Sequence, residues 1–531
     1  MSKFSKKVDA CIIGSGAGGG VVAKELGEQG INVMVLEAGR RFDPLRDYTS
    51  AKRDWEVAIN ENWDQFIVPA LYKVTFGNSF ISRPTEAHGV GGGTLRYIAY
   101  AIRMVPDDFK IYTVDGTGMD WPLTYEDLAP YYRKVELELG VSGKAGDPWT
   151  PLIEPYPNPP FEFSYANKIV KRGCDKLGIR LWPTPMARLS RPFDKRPMCV
   201  QCGNCSNGCM STAKSSVDVT YIPKAEATGK VIVRPDCIVT RIKVDGDGKA
   251  KSVIYFDKNG VEHEQKAGVI IVSAGTIQSP RLLLNSKSKL FPDGLANGSG
   301  LVGKYFMQHL TVNSAAIFCD RIDSFRGFFG GATSQDFART NQTNSFVRGW
   351  CHELHSGIQG PLKTARYSRT WGRQLKDYMR KYFGHVAGIT TAGEQIPDKR
   401  NCIELDLEVK DDYGMPVPRI TFEPLKNDRL MLAAMEKNIR EIYDAAGAIE
   451  ILFIRYRPGL SAHNGGTCRM GNDSKTSVLN SFCQSHEIPN LFVIDGSCLV
   501  TMGTANPSLT IQAIAVRASK YMAEQIKKDN L

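Results

Sequence analysis

Four thiols crowd one short stretch of this chain. The run CVQCGNCSNGC places Cys199, Cys202, Cys205 and Cys209 in the spacing C-x2-C-x2-C-x3-C. Thiolates bind soft metals, so a cluster this dense is a candidate metal site. A second chemical signature sits near the amino terminus, where GSGAGGG fits G-x-G-x-x-G at Gly14, Gly16 and Gly19. An apolar run of strand length, VDACII, precedes it. A stretch with helical spacing, VVAKELGEQG, follows, and the next strand-like run carries Glu37, 18 residues beyond Gly19. Strand, glycine turn, helix and acid in this order form a dinucleotide-binding unit. The glycines let backbone approach a pyrophosphate, the helix N-terminus faces the anion, and Glu37 accepts from a ribose hydroxyl. NAD and FAD proteins share this unit, and its place at the extreme N-terminus tilts toward FAD.

The cysteine spacing repeats that of a bacterial ferredoxin run, with Met210 where the proline stands. In two-cluster ferredoxins the fourth cysteine serves the other cluster, so four ligands to one cluster do not follow from spacing alone. Zinc takes four thiolates as well, although two separated pairs are its usual pattern. Disulfides or free thiols complete the alternatives.

The elements that must position these groups are read from the rest of the chain. At 531 residues, 42% hydrophobic and 23% charged, it has room for a large core and more than one domain. The net charge of +11 speaks to solubility and not to fold. No Lys/Arg block is long enough for a nucleic-acid arm. No apolar run approaches the roughly 18 residues of a membrane helix, so no transmembrane segment is expected. The N-terminus lacks a long apolar region, so no signal peptide is expected. The other nine cysteines are scattered and the total of 13 is odd, which suits free thiols and a reducing, cytoplasmic setting. Three sequons, at Asn297, Asn341 and Asn472, are therefore read as accidental. Strand-like runs at 230–245 and 251–257 lead to the buried strand of GVIIVSAG. The stretch 310–425 alternates aromatic and polar residues like a half-buried antiparallel sheet, and helical patterns occupy 426–446 and 508–527.

Four further segments carry a resemblance: HGVGGGTLRYIAYAIRMVPDDF (88–109), GVIIVSAGTIQSPRLLLNS (268–286), HNGGTCRMG (463–471) and LFVIDGSCLVTMGTANPSLTIQAIAVRAS (491–519). With the N-terminal unit they resemble, in order, the glucose–methanol–choline (GMC) family of FAD oxidoreductases, over nearly the whole chain. Residues 116–143 and 392–406 look most like the flavoprotein subunits of bacterial gluconate, glucose and fructose dehydrogenases.

The resemblance implies an α/β fold, α+β overall: a Rossmann-like FAD-binding domain and a second, substrate domain of β-sheet plus helices. The first is expected from 1–150, 215–305 and 462–531, the second from 306–461, with a cysteine-rich, iron–sulfur insertion at 151–214. It implies FAD-dependent oxidation of an alcohol group on a sugar, sugar acid or other secondary alcohol. Such a reaction removes a proton from oxygen and a hydride from carbon. His463 matches the family's catalytic base, Asn506 a second position that donates to the substrate oxygen, and Glu394 an acid that orients the pair. Gly91, Gly92, Gly93 and Thr94 would let backbone approach the flavin. Val239, Ala274 and Gly275 would line the adenosine side, and Asp495, Gly496 and the Asn506–Pro507 turn would complete the site. Relatives with covalent flavin carry a histidine where Arg96 stands, so the FAD is expected to be non-covalent. In the bacterial subunits an iron–sulfur pattern resembles Cys199, Cys205 and Cys209, with Cys202 an addition, which leaves a 3Fe–4S or 4Fe–4S cluster open. The chain has no C-x-x-C-H haem motif, so a cytochrome or other electron acceptor would be a separate protein. Export on a partner's signal would place the enzyme in the periplasm instead. Other readings are an oxygen-reducing oxidase whose cysteine loop holds zinc or a disulfide, an electron-transfer flavoprotein, and a nicotinamide-dependent dehydrogenase.

Overall fold

The computed structural model describes residues 7–48, 73–76, 79–80, 86–152, 154–324, 327, 330–355, 361, 364–365, 368–456 and 461–531. Its largest sheet has seven strands drawn from the whole chain. Val231–Arg234, Val33–Leu36, Lys7–Ile13 and Glu262–Val272 lie side by side and parallel, and Leu491–Val493 pairs with the last of them. The hairpin Ile238–Val244 and Ala250–Phe256 continues the sheet antiparallel. The parallel strands are near-continuous Val, Ile and Leu because helices bury both faces. Helices Gly19–Glu28 and Ser508–Lys527 supply much of that cover.

Register decides where the site falls. Ile13 sits beside Leu36 and Val272, and Val493 beside Val272. Four strand ends therefore finish level. The turns that follow them, beginning at Gly14, Glu37 and Ser273, gather at one sheet edge together with the turn at Ile494. That edge is where open α/β sheets hold ligands.

A second, antiparallel sheet of six strands is built on Leu310–Ile317, Ala332–Phe337, Trp350–His355, Val386–Gly393 and Glu450–Tyr456. Helices Lys426–Ala446 and Tyr165–Lys176 cover one face. The strand Trp350–His355 is buried throughout rather than half-buried, because helices close one side and the cofactor domain the other. Cys402–Lys410 and Pro416–Thr421 leave this sheet for a separate one, in which Pro416–Thr421 runs parallel to Lys73–Phe76. That hairpin packs against Ile277 and Phe306 and ties to the cofactor side through the Arg281–Asp411 ion pair, 2.6 Å.

The region 151–214 divides. The helix Tyr165–Lys176 buries Ala166, Ile169, Val170 and Cys174 in the substrate-side core, and Trp182–Pro183 pairs with Ala332–Phe337. An apolar stripe at i, i+3, i+4 and i+8 draws the helix to the nearest core. The cysteine loop stays with the first core, against which Cys199 packs.

Candidate active site

A cavity of about 540 Å³ runs from the gathered turns to His463 and the Asn506–Ser508 segment. At its dinucleotide end Gly14, Gly16, Glu37 and Val239 line the wall. So do Gly92, Gly93 and Thr94, then Ala274, Gly275, Asp495 and Gly496. Gly14 has φ +96°, and a side chain there would overlap the Ser273 carbonyl. Only glycine fits a left-handed residue pressed against backbone.

Two of the glycines read as cofactor contacts stand behind the wall. A side chain at Gly19 would overlap the carbonyl of Gly14, so its role is close packing of helix on strand. Gly91, at φ +113°, donates its N–H to Ser15 Oγ at 3.0 Å, and its carbonyl accepts from Thr94 Oγ1 at 2.6 Å. It shapes the loop that Gly92 and Gly93 present.

Glu37 and Asp495 line the cavity, yet both carboxylates are committed to the chain. Glu37 accepts from Ser15 N and Oγ at 2.9 and 2.7 Å on one oxygen. The other takes Gly39 N and Gly89 N at 2.9 and 3.1 Å. Asp495 accepts from Gly275 N and Ser279 Oγ at 3.0 and 2.5 Å, and from Ser497 N and Oγ at 2.8 and 2.6 Å. A carboxylate offers about four lone-pair sites. Each acid therefore acts as a strut between turns, and for Glu37 to reach a ribose one chain donor must turn away.

At the opposite end stand His463 and Asn506. His463 faces the cavity rather than bulk water, and Asn506 is buried just ahead of helix Ser508–Lys527, whose N-terminus, with Pro507 and Ser508, lines the same wall. Asn506 Nδ2 is 3.3 Å from His463 Nε2. The other imidazole nitrogen meets a residue that spacing did not single out. His309 Nδ1 lies 3.0 Å from His463 Nδ1, and His309 Nε2 lies 3.1 Å from the Gly503 carbonyl.

This chain of contacts fixes the protons. A carbonyl only accepts, so His309 carries its proton on Nε2. Burial lowers the His309 pKa to about 4, so the ring is neutral and its Nδ1 is bare. His463 must then donate from Nδ1, which leaves its Nε2 bare toward the cavity. Burial, and then the nearby His309, push His463 down to about 3, so this lone pair is available across the working pH range.

Glu394 does not reach the pair directly. It accepts from Arg348 Nε at 2.6 Å and from Gly503 N at 3.0 Å, and Gly503 in turn accepts from His309. Arg348 is fully buried and pairs also with Asp108 and Asp115. The acid thus steadies the Gly503 turn on which His309 rests. Arg96 and Tyr97 line the cavity wall, and burial lowers the arginine to about 10.

The four cysteines of the loop line one small pocket with Arg188 and Lys214. All four are free thiols. Backbone N–H of Gln201 points at Cys199 Sγ (3.3 Å), that of Lys214 at Cys209 Sγ (3.4 Å), and Arg188 Nη1 at Cys205 Sγ (3.4 Å). Arg188 and Lys214 are both buried cations. Lys214 Nζ also joins the loop to the cavity wall, donating to Cys205 O at 2.7 Å, Leu95 O at 2.8 Å and Tyr97 O at 3.3 Å. Among the described residues no three Cys, His or acidic side chains converge as ligands to one metal ion, and the pocket interior, about 10 Å³, has room for about one water.

A dinucleotide cradle facing an imidazole poised as a base defines an oxidoreductase. GMC oxidoreductase family models match residues 17–311 and 397–515. The chain is 34% identical to 2-methyl-1,2-propanediol dehydrogenase of Mycolicibacterium austroafricanum, over 99% of this chain and 97% of that one. It is 29% identical to the fructose dehydrogenase large subunit of Gluconobacter japonicus, over 99% and 100%. The structure matches pyridoxine 4-oxidase from Mesorbium loti with a TM-score of 0.66 at 16% identity, over 97% and 99% of the two chains. This chain belongs to the GMC oxidoreductase family. FAD is the dinucleotide that the family and its FAD-containing structural relatives support. Among the described residues no helix is long and apolar enough to cross a membrane.

Proposed function

We propose that this chain is an FAD-dependent dehydrogenase that oxidises an alcohol group of a sugar, sugar acid or other secondary alcohol to a carbonyl. The observation that carries the reading is the bare His463 Nε2 beside the Asn506 amide on the wall of the dinucleotide cavity. Bound flavin supplies the hydride acceptor. A substrate hydroxyl entering between the two side chains replaces their long 3.3 Å contact. His463 Nε2 takes its proton, and Asn506 Nδ2 donates to the oxygen as negative charge grows there. His309 keeps Nδ1–H of His463 engaged throughout. The N-terminus of helix Ser508–Lys527 adds positive potential at the same wall. Arg96 leaves no linking imidazole at its position, so acid precipitation should release all the FAD.

Replacing His463 with Ala should slow anaerobic flavin reduction by roughly 10²–10⁴-fold while FAD stays bound. Reduction at the wild-type rate would remove His463 from the reaction.

The cysteine loop is read as the holder of an iron–sulfur cluster, with Cys199, Cys202, Cys205 and Cys209 as the available ligands. Thiol donors, N–H groups aimed at sulfur and two buried cations suit an anionic cluster. The loop must open to admit one, since its present interior is the size of a water. A cluster held by these cysteines would supply one-electron exit to a separate acceptor protein, a cytochrome or another carrier. Lys214, bonded to both the loop and the cavity wall, makes the two sites neighbours. The tight loop favours a second reading, an oxygen-reducing oxidase with structural thiols. Iron and acid-labile sulfide per FAD decide between them. Anaerobically prepared protein free of both, and fully active with an artificial acceptor, sinks the cluster; loss of iron in Cys205→Ser with flavin reduction intact supports it. The unpaired thiols suit a cytoplasmic setting, with periplasmic export beside a partner subunit as the alternative.

A further inference from the structure

Three polar atoms near the reacting end of the cavity have no hydrogen-bond partner among the described residues: Tyr100 Oη, Glu353 Oε1 and Asn506 Oδ1. Their residues are 3%, 5% and 7% exposed, so bulk solvent does not compensate them. Tyr100 and Asn506 both line the cavity, and Asn506 contacts His463 there. Glu353 lies on Trp350–His355, the strand buried on both faces. Side chains alternate along a strand. Trp350 and Leu354 pack into the helix-side core, and His352 Nε2 meets Asn438 of helix Lys426–Ala446 at 2.7 Å. Glu353 points the other way, where its carboxyl meets the Asn506 amide and lies near the neutral Tyr100 phenol.

An unpaired buried polar atom costs about 1–3 kcal/mol. Three in one corner are a standing cost unless a ligand relieves it. A monohydric alcohol cannot. Its one hydroxyl is consumed by His463 Nε2 and the Asn506 N–H, and the three atoms stay bare. A second hydroxyl both donates and accepts. It can donate to Asn506 Oδ1 and accept from Tyr100 O–H. A carboxylate would face the Asn506 Oδ1 acceptor, so an acid group fits poorly.

Resting on the reading of His463 and Asn506 as the alcohol site, we propose that Tyr100, Asn506 and Glu353 form a subsite for a second substrate hydroxyl. The preferred substrates are then neutral diols or polyols rather than monohydric alcohols or sugar acids. Tyr100 and Asn506 touch the second hydroxyl; Glu353 holds the Asn506 amide and adds an acceptor behind it.

The test is anaerobic stopped-flow flavin reduction of the holoenzyme by propane-1,2-diol, glycerol, 1-propanol and 2-propanol. The diols should exceed the monohydric alcohols in reduction rate over apparent Kd by roughly 10²-fold, as expected where a site's polar groups would otherwise be left unpaired. That ratio should shrink to within about tenfold in Tyr100→Phe and in Glu353→Leu, and Glu353→Gln, which keeps an acceptor, should restore most of it. Tyr100→Phe deletes a single oxygen and carries the test if the buried leucine prevents folding. A wild-type ratio near one, or a ratio that survives both deletions, overturns the subsite while leaving alcohol oxidation standing. Reduction by none of the four overturns the alcohol reading and the subsite with it.

Discussion

The two ends of the cavity are built on opposite terms. At the dinucleotide end, Glu37 and Asp495 each accept four hydrogen bonds from the chain, and the turns they join hold one another in place. At the alcohol end, Asn506, Glu353 and Tyr100 each keep an atom without a partner among the described residues, and His463 presents a bare nitrogen. A cofactor that stays bound can be met by a finished scaffold of backbone and glycine. A substrate that must be told apart and turned over has to find groups not yet satisfied, because only those can discriminate. The same contrast divides the acids of the cavity: Glu37, assigned to the cofactor by spacing, and Asp495, assigned by the resemblance, are internal struts, whereas Glu353, in no motif, keeps an oxygen without a partner among the described residues.

The contrast breaks most sharply at Glu37. Glu37→Ala would orphan three backbone N–H groups and the Ser15 hydroxyl, so it should cost several times the about 1–3 kcal/mol of one lost partner. The apoprotein should therefore melt well below wild type. A normal apoprotein Tm with only FAD affinity lowered would make Glu37 a cofactor ligand and not a strut.

His309 sharpens the other end. Leucine there removes the acceptor that holds His463 in one tautomer, and flavin reduction should slow by about 10- to 100-fold, as for other orienting partners of working histidines. Glutamine can accept from His463 Nδ1–H and donate to the Gly503 carbonyl, so His309→Gln should recover much of the rate. Equal loss in both variants, with FAD retained, would mean that His309 only fills space.

The remaining effect is a pH dependence of stability. Burial raises the Glu353 pKa from 4.5 to about 7, with the Asn506 contact lowering it in part. The folded state thus holds this proton longer than the unfolded chain does. Its contribution is full below about pH 4.5 and is lost as pH rises toward 7, at up to about 1.4 kcal/mol per unit. Relative to Glu353→Gln, wild type should lose stability between pH 5 and 7, measured by denaturant unfolding at fixed temperatures. Parallel curves for the two proteins would place an ionised carboxylate in that corner.

Much of the scaffold was readable in the chain because its signals are local. The strand–glycine–helix unit, the helices at 426–446 and 508–527 and the return strand before Ser273 follow from periodicity and turn residues within a few dozen positions. His463 and Asn506 came from motifs of the same short range, and the cysteine run is shorter still. Spacing does not say which way an atom points: Gly19 and Gly91 read as cofactor contacts yet lie behind the wall, and Glu394 reads as a neighbour of His463 yet acts through Gly503 and His309. The helix Tyr165–Lys176 crossed to the other core because its apolar stripe is satisfied by any nearby core. The tertiary structure alone brought His309 to His463 across 154 residues and set Glu353 and Tyr100 at Asn506. The physical reason is that proton placement and unsatisfied polarity belong to contacts between elements, and the residues that make those contacts carry no signature along the chain.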